Sequence, residues 1–190
     1  TRRSSDLDNR LVQFMKIKGE AMSKLNNGEL VLFPEPQIIT TAEYKSTTGY
    51  DIKKGLTMSV DDKIQNNQVV GVIEYRAAEA YLNYIEACYL RKGSIDASAD
   101  KYWKAIRKRA GVSEDYRRTI ELTDMSKESC LLSAYTAGKL VDKTMFNIRR
   151  ERACELMSEG FRWDDLRRWR SMDQLVNTPY QVEGFKLWGE

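Results

Sequence analysis

The side chains with the most obvious chemical potential are carboxylates set in pairs: Glu151 with Glu155, one helical turn apart, and the adjacent Asp164 and Asp165. Two carboxyl groups flanking a sugar can act as acid and base in hydrolysis of a glycosidic bond. A general acid must hold its proton near neutral pH, whereas a neighbouring guanidinium favours the ionised carboxylate. All of these acids lie a helical turn or less from an arginine, so the pattern predicts ion pairing and argues against catalysis. Nucleophilic and metal chemistry fail on composition, because the chain has 3 cysteines and 0 histidines. Cys88, Cys130 and Cys154 are widely spaced and form no CxxC pair, so neither a zinc site nor a Cys/His nucleophile can be assembled. Cys88 and Cys154 fall within helical patterns and are expected as buried free thiols, with a disulfide as the alternative. No enzyme activity, metal or cofactor is expected.

Binding chemistry is better represented. Sugar rings present flat C–H faces that lie well on tyrosine and tryptophan, with Asp, Asn, Lys and Arg bonding the hydroxyls. Tyr44, Tyr50, Tyr116, Tyr180 and Trp188 fall in loop-like stretches and are the candidate ligand-binding residues. Trp103, Trp163 and Trp169 lie on apolar helical faces and are expected in the core. The pairs Arg149-Arg150 and Arg167-Arg168 stand beside acidic residues and are expected to be solvated or ion-paired. With a formal net charge of only +3 and basic residues interleaved with acidic ones, the chain lacks the concentrated basic stripe of a nucleic-acid binder.

The elements that must position these groups are helices. Ile148 to Trp169 carries charged and large apolar residues at helical spacing. Arg152, Glu155 and Glu159 share an arc with Ile148, while Met145, Phe146, Ala153, Leu156 and Met157 form a separate flank. Gly160 interrupts the run, and a short second helix carries Trp163, Leu166 and Trp169. Arg152, Glu155, Glu159, Arg162, Asp165 and Arg168 are expected to form a partly buried ion-pair network that fixes the angle between the two helices. Asp142 or Thr144 would cap the first of them.

Upstream, helical periodicity begins near Val70. Tyr75, Ala78, Leu82, Ile85 and Tyr89 form one stripe, with Ala77, Tyr81, Tyr84 and Cys88 beside it. Gly93 ends this helix, and a second follows with Ala99, Tyr102, Trp103, Ile106 and Ala110 on one face before Gly111 stops it. The pair is expected as a tetratricopeptide-like hairpin. Asp124 to Tyr135 would form a further short helix. The first third has no strong period; Asn26-Asn27-Gly28 predicts a turn, and Leu30-Val31-Leu32-Phe33 a short strand. The expected division is a loop-rich segment over 1–69, a helical scaffold over 70–172 and a loop-rich tail over 173–190. At 190 residues the chain is long enough for one domain, or is a piece of a larger one. No apolar run is long enough to span a bilayer, and no signal peptide opens the sequence at Thr1-Arg2-Arg3.

The spacing I-x-x-E-R-x-x-E-L-x-x-E-G-x-R-x-x-D-L-x-R-W, filled by Ile148, Glu151, Arg152, Glu155, Leu156, Glu159, Gly160, Arg162, Asp165, Leu166, Arg168 and Trp169, resembles the C-terminal signature of the SusD/RagB family. Three further segments resemble family elements, in the same order. Asp8-Asn9-Arg10-Leu11 is similar to D-x-R-L, the helix Tyr75 to Ala87 to R-x-A-E-x-x-L-x-Y-A-E-A, and Ile106 to Gly111 to I-R-x-R-A-G. The departure is Ile85, where the family has alanine.

The resemblance implies a mainly α, SusD-like fold with a tetratricopeptide-like scaffold and long irregular loops. It implies a non-catalytic surface lipoprotein of the outer membrane that binds a glycan and delivers it to a TonB-dependent transporter of the SusC type. Some relatives take up peptides instead. The membrane would be met only through an N-terminal lipid anchor absent from this chain, which would be an internal piece of a longer protein. A helical-repeat interaction adaptor is the alternative that the hairpin alone leaves open.

Overall fold

The computed structural model describes residues 9–25, 27–34, 51–55, 71, 73–129 and 131–177. These residues are mainly helical: α1 (Asn9–Phe14), α2 (Ala77–Lys92), α3 (Ala97–Arg109), α4 (Tyr116–Leu122), α5 (Lys143–Glu155), α6 (Phe161–Arg168) and α7 (Gln174–Asn177). Two small antiparallel hairpins accompany them, β1 (Ala21–Lys24) with β2 (Leu30–Leu32), and β3 (Tyr135–Thr136) with β4 (Lys139–Leu140). The chain divides into two compact units. One comprises Thr1–Leu7, Leu11–Ile73 and Val182–Glu190, and the other Asp8–Arg10 and Glu74–Gln181.

In the first unit, the Asn-Gly turn forms where expected. Asn27 Oδ1 accepts the Glu29 N–H at 3.0 Å, and Gly28 takes a φ of 87°, a left-handed conformation that glycine adopts without steric cost. Met15 bridges Ile52, and Met15 and Phe33 are buried.

The second unit is built on the α2–α3 hairpin. Gly93 terminates α2 with a φ of 66°, its N–H returning to the Tyr89 carbonyl. Asp96 then caps α3 by accepting the Ala99 N–H at 2.9 Å. Leu82, Ile85 and Cys88 of α2 pack with Ala99, Trp103 and Ile106 of α3, and Ile148 and Leu156 close the same core. Asp142 is the cap of α5, accepting from the N–H groups of Thr144 and Met145 at 2.8 and 3.0 Å. Tyr75, expected on the core stripe, precedes α2 and is 87% exposed.

Helix α5 is the centre of this unit and departs from the amphipathic expectation. Met145, Phe146, Ile148, Arg149, Glu151, Arg152 and Glu155 are all buried, so both its apolar flank and its charged arc face protein. It ends at Glu155, ahead of the Gly160 break, and Gly160 instead opens α6 with a φ of 85°. Two burial expectations fail here. Trp163 is 59% exposed on α6, because Leu166 and Trp169 already fill the face turned inward. Cys154 is exposed on α5, whereas Cys88 is buried as expected.

The stretch between Val112 and Lys143 also differs from its expected form. Asp124 begins no helix: its Oδ1 accepts from the Ser126 N–H at 3.1 Å and the Ser126 Oγ at 2.7 Å, a local turn that competes with helical bonding. The helix lies earlier, as α4, capped by Asp115 through the Arg118 N–H. A 3-10 turn over Leu132–Ala134 and the β3–β4 hairpin follow.

Candidate functional site

Charged side chains from several segments converge on one acidic stripe. Glu151, Glu155 and Glu159 follow at four-residue steps, so they project along one side of α5 and the turn beyond it. Glu151 Oε1 accepts from Arg10 Nη1 at 2.7 Å, and its Oε2 from Arg107 Nη1 at 3.0 Å and Trp103 Nε1 at 3.1 Å. Glu155 Oε1 accepts from Arg76 Nη1 at 2.5 Å and from Arg109 Nη2. Arg76 also donates Nε and Nη2 to the two carboxylate oxygens of Glu159, at 2.8 and 2.6 Å. Burial opposes the charge of Arg76, yet its bonds to Glu159 and Glu155 raise its pKa above the ordinary arginine value.

A second cluster ties α6 to α5 and α2. Arg152 Nε donates to both oxygens of Asp165, at 3.0 and 2.8 Å, and Arg152 Nη1 to Asn83 Oδ1 at 2.8 Å. Arg168 forks onto Glu86 with two bonds of 2.7 Å, and Trp169 Nε1 donates to the same carboxylate at 2.7 Å. Such a planar fork matches a carboxylate in both distance and direction. Arg162 is exposed on α6, its guanidinium 5.9 Å from the Trp169 ring centroid.

These bonds account for the paired carboxylates. Glu151 and Glu155 are buried among arginines, Asp165 is buried against Arg152 and Arg168, and Asp164 is exposed with Arg167 at 3.7 Å. The arrangement is suited to holding helices in register. Arg149 differs from its expected solvated or ion-paired state. It is buried, and it donates to the carbonyls of Ser133 and Tyr135 at 3.1 and 2.7 Å and to Thr136 Oγ1 at 2.6 Å. Its guanidinium lies 4.4 Å from the Trp169 ring, and burial pushes its pKa down to about 10.

The expected ligand-binding aromatics fare differently. Tyr44, Tyr50, Tyr180 and Trp188 lie outside the described residues. Tyr116 is not an exposed loop aromatic. It is the first residue of α4, 1% exposed, with its ring stacked on Trp103 at 4.2 Å and its hydroxyl donating to Asp100 at 2.7 Å. Beside α4 runs an open groove of about 480 Å³, bounded by Arg118, Leu122, Asp124, Lys127, Glu128 and Arg150. Among the described residues, no group of His, Cys, Asp and Glu could hold a metal ion, and no helix is long and apolar enough to cross a membrane.

The family model described as the SusD family matches residues 2–186. The chain belongs to the SusD family. No curated protein and no solved structure gives a significant match. Membership carries a nutrient-binding role at the level of the family, whose members are generally non-catalytic binding proteins associated with the outer membrane and its transporters.

The clusters explain why the SusD-like sequence elements look as they do. Arg10 comes from the D-x-R-L element, Arg76 from the next, Arg107 and Arg109 from I-R-x-R-A-G, and Glu151, Glu155 and Glu159 from the C-terminal signature. All meet in one cluster. Sequence reasoning confined the network to the C-terminal signature. It therefore left out Arg10, Arg76, Arg107, Arg109 and Glu86, although Glu86, four residues after Leu82 and next to Ile85 on the apolar face of α2, was a usable sign of a buried partner.

Proposed function

We propose that this SusD-family chain is part of a non-catalytic glycan-binding lipoprotein of the outer-membrane surface, which captures polysaccharide or oligosaccharide and passes it to a TonB-dependent transporter of the SusC type. The observation that carries the proposal is the family match over residues 2–186. The chemistry of the described residues supports it. The carboxylates that would suit hydrolysis are bonded to arginines within the scaffold, Glu151 by Arg10 and Arg107, and Asp165 by Arg152. Acids so held bind helices to one another and leave ligand recognition to other groups. We assign that recognition to Tyr44, Tyr50, Tyr180 and Trp188, whose ring faces suit the C–H faces of sugars.

The test is calorimetric titration of the intact protein with maltoheptaose, xylohexaose and mannohexaose, alongside mixed peptides of similar length. Saturable binding of at least one oligosaccharide supports the proposal. Binding of peptide alone would move the chain to the peptide-uptake branch. Co-purification with an outer-membrane transporter, detected after mild crosslinking of cells, tests the partner; recovery without any such transporter would count against delivery.

A further inference from the structure

We infer that the groove beside α4 is a subsite for an uncharged, polyhydroxylated ligand, a stretch of neutral oligosaccharide. The inference rests on the carbohydrate-binding proposal and gives it a location and a charge preference. Its volume of about 480 Å³ lies within the range typical of small-ligand sites, about 300–1,000 Å³.

The decisive feature is how its charges are held. Cationic Arg118, Lys127 and Arg150 face anionic Asp115, Asp124 and Glu128, so their formal charges cancel. Lys127 Nζ lies 3.8 Å from Asp124 Oδ2, and Arg150 Nη1 lies 3.7 Å from Glu128 Oε1. Those separations exceed hydrogen-bond length. In the buried cluster Arg76 meets Glu155 at 2.5 Å and Arg107 meets Glu151 at 3.0 Å. Asp124 already accepts from Ser126 through Oδ1 and Arg150 donates to Asn147, but Asp124 Oδ2 and the side chains of Glu128, Arg118 and Lys127 keep bonding capacity of the kind that the scaffold pairs have committed.

A sugar hydroxyl uses both kinds at once, accepting from a guanidinium or ammonium while donating to a carboxylate. Leu122, 69% exposed on the same groove, offers an apolar contact for the C–H face of a ring. An acidic ligand would meet Asp115, Asp124 and Glu128, and a basic one Arg118, Lys127 and Arg150, so a net charge of either sign is disfavoured.

The test compares the intact wild-type protein with Arg118→Ala/Lys127→Ala and with Glu128→Gln. Each is titrated with maltoheptaose, xylohexaose and mannohexaose, and with trigalacturonate as the acidic control. Both Arg118 and Lys127 are exposed, so melting curves should be unchanged. Loss of charge-assisted bonds of this kind corresponds to about tenfold weaker binding. Such a loss for a neutral oligosaccharide, with unaltered melting, supports the subsite. Unaltered affinity in both variants, while the wild type binds, overturns the subsite and leaves the glycan-binding proposal standing. Tighter binding of trigalacturonate than of every neutral oligosaccharide overturns the charge preference. Absence of binding by the wild type to any of these sugars overturns the glycan-binding proposal and the subsite with it.

Discussion

Arg10 and Glu151, 141 positions apart in sequence, meet at 2.7 Å with both side chains buried. Removing Arg10 leaves Glu151 charged and desolvated with only Arg107 and Trp103 still bonded to it, and breaking a buried pair typically costs about 3–5 kcal/mol. Arg10→Met should therefore lower the urea midpoint sharply. Arg167→Ala, which breaks a pair whose side chains are 66% and 77% exposed, should change stability by less than about 1 kcal/mol. Comparable urea midpoints for the two variants would contradict the cluster's role in the scaffold.

Arg149 supports the β3–β4 hairpin through backbone carbonyls. Lysine keeps the charge but cannot place parallel donors on the Ser133 and Tyr135 carbonyls and Thr136 Oγ1. Arg149→Lys should destabilise by about 2–3 kcal/mol, the typical scale for losing bonds to a buried charged group. Hydrogen exchange of the Tyr135 to Leu140 amides should accelerate more than that of α3.

Tyr116 should behave as a core residue. Tyr116→Phe keeps the ring on Trp103 and loses the bond to Asp100, a change of about 1 kcal/mol. Tyr116→Ala also loses the stacked ring and should cost about 3–5 kcal/mol. Ligand affinity of the Tyr116→Phe protein should equal that of the wild type.

Acid should weaken the α2–α3 hairpin in a defined window. Bonding from Lys104, with Tyr116 and Arg117 adding to it, holds Asp100 at about 2. Asp96 is likewise lowered, by Lys92 and by the Ala99 N–H at the start of α3. A carboxylate with a folded pKa below its unfolded value of about 3.9 stabilises the fold fully above that value. The contribution is lost as pH falls from about 4 towards the folded value of about 2. Asp100→Asn should accordingly be less stable than wild type at neutral pH, with the difference in urea midpoint shrinking below about pH 4. A constant difference across that window would contradict the assignment.

Much of the scaffold was legible in sequence because local rules suffice for it. Gly93 and Gly111 stop α2 and α3, Asp142 caps α5, and the face carrying Ala99, Trp103 and Ile106 is the buried one. What escaped was decided by partners far along the chain. The break at Gly160 between two short helices lets Arg152 and Asp165 be expected in one network, but nothing local to Arg10 or Arg76 points to Glu151 or Glu155. Burial of Tyr116 depends on Trp103 offering its ring face, and the turn at Asp124 on a two-residue side-chain bond that outcompetes a weak helical pattern. Trp163 shows the converse. Its periodicity matches a core position, yet Leu166 and Trp169 occupy the interior and leave it outside. The expected glycan-binding aromatics other than Tyr116 fall outside the described residues, so at the candidate site the sequence reading extends further than the geometry.

The proposed function requires that this SusD-family protein bind a glycan without cleaving it. The most direct measurement incubates the intact protein with maltoheptaose, xylohexaose and mannohexaose, and follows calorimetric binding and chromatographic product release on the same samples. Saturable binding of at least one sugar, with every oligosaccharide recovered at its original length, is the expected result. Time-dependent appearance of shorter sugars, abolished by Glu151→Gln or Asp165→Asn under conditions where the variants remain folded, would contradict it.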